Sequence, residues 1–448
     1  MHSTLAAATR WNDLLAAESD ARSATQFRDA QIRERLVFGD RPICKVLRPL
    51  FLAPQDARAL TQGVTVLMSA YRKLRAALQS DSALRSWLQL SAEEEAILAA
   101  DKQCFEPDVV GRMDGFLAGG AFRVVEYNAE SPGGIGFGDR LATLFEALPV
   151  MERFREHWKV QTFHGLPRTL QALLAAHKTR LGERATAHPS IAIVDRLDVP
   201  TVREFELCAE VFTAAGCPSR VLDVRTLRFE NGVLHGDGFK PDIVYKRALV
   251  KDLLKLGGAA HPLAQAVAAG AVTCASGFGV HILFRKELFA MLHDPSFAAQ
   301  LNDSERAAVE AHVPWSSFVT KDALAPDGSA LAPWVVHARE QLVLKPTDDY
   351  GGSGVVLGWT VDDAAWQQAL LRAFDAPHIV QQRVTLPREE FPLIETPQRR
   401  ALFYTDVDPY VWNGTNVEGF GARLAPGELL NVTAGGGSAV PVFVVEPH

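Results

Sequence analysis

Cysteine is scarce in this chain: five in 448 residues, Cys44, Cys104, Cys208, Cys217 and Cys274, with no C-x-x-C pair among them. That spacing argues against a disulfide framework or a structural zinc site and suits a reducing compartment. No run of 18 apolar residues occurs, so no membrane-spanning helix is expected. The Met1 end lacks a basic segment followed by an apolar one, so no signal peptide is expected, and the expected location is cytoplasmic. The Asn-x-Ser/Thr matches at Asn302, Asn413 and Asn431 then read as chance. Surplus basic charge is lacking too. A formal net charge of −7 argues against nucleic acid or an anionic membrane as principal partner, while leaving room for a local basic pocket. No internal repeat, low-complexity tract or G-x-x-x-x-G-K-[ST] motif is present, so a P-loop is excluded.

What remains is ordinary globular composition, 48% hydrophobic and 22% charged, with length for two or three domains. Residues 1–105 are rich in Ala and Leu at helical spacing. Ser91 begins a helix with acids in its first turn, and Pro49 and Pro54 interrupt the helices around FLAPQD. From about 185 to 280, PSIAIVDRLD, SRVLDVRTL and PDIVYKRAL are apolar runs of strand length. An amphipathic helix, TVREFELCAEVFTAAG, follows the first of them. Strands alternating with a helix imply a parallel sheet in a small α/β unit. Its strand ends hold Asp195, Lys246 and Arg247, where such sheets take ligands; ion pairing at the surface explains the three equally well. The remainder is helix and strand by turns, ending β-rich, so the expected class is α+β with an α/β insertion.

The stretch GRMDGFLAGGAFRVVEYNAESPGG, from Gly111 to Gly134, reads as a hairpin turning at Gly119–Gly120. Arg112 and Asp114 stand two apart on one strand, Glu126 and Asn128 on the other, so each pair points one way. With Asp114 opposite Glu126, all four share a face. Two opposed carboxylates repel unless a cation lies between them, and two carboxylates with an amide oxygen suit Mg²⁺, leaving Arg112 for a phosphate. A solvated face with an ordinary Arg–Asp pair is the plainer alternative for either half alone. Register adds a condition. A two-residue Gly119–Gly120 loop pairs 118 with 121 and puts Glu126 on the wrong face, so a three-residue loop or a bulge is expected.

Lys345 ends an apolar strand, LVLK, just before Tyr350-Gly351-Gly352-Ser353-Gly354. A lysine there is costly without an anion, and glycine turns expose N–H groups that can fold over phosphates. A second strand, a helix and the strand HIVQQRV follow. This order resembles the ATP-grasp superfamily: VLKP with DYGGSGV looks like its phosphate-covering lid, IVQQRV like its adenine-facing linker strand, and VVEYNAESPGG like its magnesium-binding E-x-N strand. Here the E-x-N strand precedes the lid by about 220 residues. That order resembles the circularly permuted ATP-grasp enzymes, including the synthetase domain of glutathionylspermidine synthase.

The resemblance implies a permuted ATP-grasp fold. Its segments would be a helical region at 1–105, a first core part at 106–165, an inserted α/β substrate domain at 166–284, an ATP lid subdomain at 285–385 and a second core part at 386–448. It implies an ATP- and Mg²⁺-dependent ligase joining a carboxylate to an amine through an acyl phosphate. A phosphotransferase or a non-catalytic nucleotide-binding regulator are the alternatives. Mg²⁺ would lie on Asp114, Glu126 and Asn128. Lys286 and Lys345 would hold the nucleotide together with Gly351, Gly352, Ser353, Gly354, Gln381 and Gln382. Arg112 and Arg423 would meet the transferring phosphoryl group, and Ser131, Gly133 and Arg247 the substrate. The family's glutathione-receiving loop is Thr/Ser-rich; here it is Ser131-Pro132-Gly133-Gly134, which leaves the two substrates unnamed. Oligomeric state is not legible.

Overall fold

The protein is described here from a computed structural model, which covers residues 2–18, 22–38, 41–349, 352–430, 432 and 436–448. Gly351 and Tyr350 of the expected lid, and Asn431, lie outside the described residues. The architecture is mixed α/β with three principal sheets. Among the described residues no helix is long and apolar enough to cross a membrane, and all five cysteines are free.

The largest sheet has nine strands and is built from both ends of the chain. At one edge lies the hairpin Val110–Ala118 and Ala121–Asn128, which pairs through Val110–Arg112 with the late strand Asp408–Trp412. Asn416–Ala425 and Ser438–Pro447 extend it. Ser438–Pro447 also pairs in parallel with Leu50–Leu52. The prolines around FLAPQD therefore bracket a strand, with Pro54 opening the 27-residue helix Pro54–Ser80, where a helix break was expected. Burial explains the difference: Leu50, Phe51 and Leu52 are all buried and packed with Trp11 and Phe154, an arrangement no local pattern signals. The first hundred residues share one continuous core with this sheet.

The second sheet is all parallel, in the order Thr273–Ala275, Ile243–Lys246, Ile191–Asp195, Ser219–Asp223, as the alternation of strand and helix predicts. Its two central strands read as near-unbroken apolar runs because both faces are buried, in different cores. Ile191 and Ile193 join the main core, whereas Ala192 and Val194 pack with Val244, Leu222 and Leu253. The third sheet joins Ser316–Phe318, His378–Gln382, Leu342–Pro346 and Val356–Leu357. The helix Asp363–Asp375 covers it through Trp366, Ala369 and Leu370.

Candidate active site

The hairpin meets its register condition with a bulge. The turn is the two-residue one, Ala118 opposite Ala121, and Gly119 and Gly120 both take positive φ, where glycine is unstrained. Pairing runs in step as far as Gly115–Val124, then shifts, so that Asp114 faces Glu126 and Arg112 faces Asn128. Val125 is the surplus residue. It has no partner across the ladder, and its carbonyl accepts instead from Lys345 Nζ at 2.9 Å.

The expected repulsion between the opposed carboxylates is met by protein cations. Arg112 grips Asp114 with two parallel bonds, Nε–Oδ1 at 2.6 Å and Nη2–Oδ2 at 2.8 Å, and donates Nη1 to the Gly133 carbonyl. Arg423 reaches Asp114 Oδ2 at 2.7 Å. Burial acts against ionisation of Asp114, but Arg112 and Arg423 outweigh it and hold its carboxyl below the usual range. Glu126 is met by Lys286 at 3.0 Å.

Two aspartates not foreseen complete this wall. Asp406 accepts from Arg423 Nε at 2.7 Å, and Asp408 lies 3.4 Å from Arg423 and 3.7 Å from Arg112. Three buried carboxylates thus share two guanidinium groups. Burial, with Asp114 and Asp406 alongside, pushes the Asp408 carboxyl well above the usual range. The signal was present in YTDVDPY, whose two acids stand two apart like the residues of the hairpin; what sequence could not tell is that this strand pairs with Arg112.

The third sheet supplies the opposite wall. Lys345 is almost fully buried and donates to Gln381 Oε1 at 2.7 Å as well as to Val125. Burial, reinforced by the neighbouring charge of Lys286 and opposed by Glu126, lowers its pKa to about 8. Lys286 sits in the break between helices Val280–Phe284 and Glu287–Leu292, because Arg285 is extended there, and its ammonium also bonds the Asp349 carbonyl. Gln381 is turned inward to Lys345 and Ser316, whereas Gln382 is exposed.

All these groups line one cavity of about 520 Å³: Arg112, Asp114, Glu126, Asn128, Lys286, Lys345, Gly352, Ser353, Gln381, Gln382, Asp408 and Arg423. Gly354 does not line it. Gly354 has φ of 68°, and a Cβ there would meet the Pro346 ring at 2.6 Å, so its glycine closes the loop rather than facing the cavity.

At the other end the cavity runs beneath the parallel sheet, past Ser131, Gly133, Asp195, Thr201, Arg247 and Asp252. Lys246 is not on this wall: its ammonium is fully buried against Glu130 Oε1 at 2.9 Å. Ser131 Oγ bonds the Arg247 carbonyl, and Arg247 Nη1 bonds the Pro132 carbonyl at 2.9 Å, so loop and strand end hold each other. The amides of Gly134 and Gly136 are taken by the buried carboxylate of Glu204, at 3.0 and 2.9 Å. Arg247 Nη2 lies 3.7 Å from the same carboxylate; Glu204 carries no sequence signal, being a helical residue whose hydrogen bonds reach backbone amides some 70 positions earlier.

No protein-family model and no curated protein matches the chain. Among solved structures it is similar to an apo glutathione synthetase-like effector from Globodera pallida, at 10% identity and a TM-score of 0.60, over 94% of this chain and 96% of that one. A putative gamma-glutamylcysteine synthetase from Methylobacillus flagellatus gives a TM-score of 0.41 at 11% identity, over 86% and 88%. A RimK domain ATP-grasp protein from Sphaerobacter thermophilus gives 0.30 at 12%, over 55% and 92%. The last two scores are too low to carry an argument. The first shows a likeness of fold along nearly the whole chain.

Proposed function

We propose that this protein is an ATP- and Mg²⁺-dependent ligase that joins a carboxylate to an amine, with a circularly permuted ATP-grasp arrangement. The segments are those drawn from the sequence, with 106–165 and 386–448 forming the core and 285–385 the nucleotide subdomain. One observation carries the reading. Two buried lysines, Lys286 on Glu126 and Lys345 with no carboxylate partner, converge with the hairpin's acids and Arg112 on one cavity from positions about 160 and 220 residues further along the chain.

Lys286 and Lys345 hold the α- and β-phosphates, with Gly352 and Ser353 above them, and Gln381 and Gln382 line the base side. The glycine loop excludes water from an acyl phosphate that would otherwise hydrolyse. Carboxylates outnumber cations nine to five among the side chains lining the cavity, so a polyphosphate enters only with added positive charge. Asp114, Glu126 and Asn128 are oxygen donors suited to Mg²⁺, and the acid surplus at Asp408 fits a divalent cation beside them. When bound, the ion neutralises phosphate charge. Arg112 and Arg423 keep positive charge on the wall where the γ-phosphoryl group transfers. The substrate carboxylate oxygen attacks the γ-phosphorus and ADP leaves. The amine nitrogen then attacks the acyl carbon, phosphate leaves, and the amine gives up a proton. The protein's contribution is positioning and charge.

The test is release of inorganic phosphate from ATP with candidate carboxylates and amines added singly and together. Phosphate appearing only when both are present is expected. Transfer to a hydroxyl compound instead would replace ligation with phosphotransfer. No rise in melting temperature with Mg²⁺-ATP would overturn both.

A further inference from the structure

We propose that the end of the cavity beneath the parallel sheet binds the amine substrate, and that this substrate is an α-amino acid taken as its zwitterion, its ammonium group on Asp195 and its carboxylate on Arg247. The proposal rests on the ligase reading and adds the substrate class.

Charge accounting at this end leaves one acid without a cation, Asp195, and one buried donor without an acceptor, Arg247 Nε. Asp139 is met by His164 at 2.7 Å, and Glu130 by Lys246. Glu204 is occupied by the amides of Gly134 and Gly136 and lies 3.7 Å from Arg247 Nη2, and Asp252 lies within 3.7 Å of Arg196 and Lys255. Asp195, the last residue of its strand, accepts only the Arg196 backbone N–H, at 2.7 Å, and has no ion pair among the described residues. A half-buried carboxylate without a cation favours a ligand that brings one, and burial pushes its pKa up to about 6.

Arg247 is the complementary case. Its guanidinium is 95% buried, set against the Phe205 and Tyr245 rings with centroids at 5.5 and 5.4 Å. Nη1 is pinned to the Pro132 carbonyl and Tyr245 hydroxyl, but the buried Nε–H has no acceptor. An unmet buried donor is costly and is relieved by a ligand oxygen. Parallel pairing sets Lys246 opposite Val194, so Asp195 and Arg247 follow at the carboxyl ends of neighbouring strands, about 4.8 Å apart in such sheets. Each shifts the other's pKa, yet they do not pair. An acid without a cation beside a guanidinium whose Nε–H has no acceptor matches a molecule carrying an ammonium and a carboxylate on one carbon. A polyamine would need an unpaired acid for each ammonium, and here it would also meet Arg247.

The experiment is binding of free α-amino acids to the whole protein, by calorimetry with a nonhydrolysable ATP analogue and Mg²⁺ present. Each is compared with its methyl ester, its decarboxylated amine, and spermidine. At least one amino acid is expected to bind, with ester and amine weaker by about tenfold or more. Asp195→Asn is expected to lose that binding while keeping the melting-temperature rise given by the nucleotide analogue, and Asp195→Glu to recover part of it. Spermidine or a plain amine binding as well as the amino acid would overturn the proposal, as would an Asn variant that binds unchanged or a panel with no binder. If Asp195→Asn does not fold, the wild-type ester and amine comparison decides alone. Failure of wild type to bind the nucleotide analogue would instead remove the ligase reading beneath it.

Discussion

Two lysines stand at the ends of buried strands with nearly the same sequence, Lys246 in IVYK and Lys345 in LVLK. Lys246 has a carboxylate, Glu130, at 2.9 Å and no exposure to the cavity. Lys345 has only a carbonyl and a side-chain amide, lines the cavity, and has its pKa drawn down to about 8. The difference lies in who supplies the counter-charge. Lys246 was completed when the chain folded. Lys345 keeps its charge at a cost until an anion arrives, the condition of a binding group rather than a structural one.

The sharpest way to break this comparison is to remove each ammonium in turn. Lys246→Met leaves Glu130 ionised and buried without its partner, and is expected to cost about 3–5 kcal/mol of stability, read as a lower melting temperature with or without ligand. Lys345→Met is expected to leave the unliganded melting temperature unchanged or raised. It should abolish most of the gain from Mg²⁺-ATP, which for wild type is about 2.7 kcal/mol at a hundredfold excess over Kd. Equal loss of unliganded stability in the two variants would make Lys345 structural.

The arginine wall gives a smaller contrast of the same kind. Asp114 is held ionised by two guanidinium groups, so Asp114→Asn is expected to cost about 2 kcal/mol; Asp408 is the surplus acid, and Asp408→Asn is expected to cost nothing or to stabilise. Denaturant midpoints of the two variants decide it, and the reverse order would mean that the surplus lies elsewhere.

The smallest effects are those of pH. Against the penalty of burial, Lys246 and His281 lower the Glu130 pKa from 4.5 to about 2. Its contribution to stability is therefore present above pH 4.5 and lost as pH falls toward 2. Lys345 runs the other way: with its pKa lowered from 10.5 to about 8, its share of stability rises between pH 8 and 10.5. Over that range nucleotide affinity should fall, because the ammonium that meets the phosphates is lost. Measuring Kd for Mg²⁺-ATP from pH 7 to 10 checks this, and Lys345→Met should flatten the profile.

How far the sequence could go follows from the same pairs. The hairpin faces, the need for a bulge and the parallel sheet depend on neighbours along the chain, and all three were readable. Which lysine has a carboxylate was not, because Glu130 lies 116 residues from Lys246. Asp408 was missed although its spacing repeats that of the hairpin, since its meaning depends on pairing with a strand almost 300 residues away. The hydrogen bonds of Glu204 go to backbone amides, and no residue pattern encodes those.

The surplus residue in the hairpin makes chain length itself a determinant of the site. Val125 stands outside the ladder, and its carbonyl is the peg for Lys345. Its peptide, not its side chain, makes that contact. Substitution at 125 should therefore be tolerated, whereas deletion would close the ladder with Asp114 still opposite Glu126 and leave Lys345 one acceptor short. At this position the identity of the residue matters less to Lys345 than its presence.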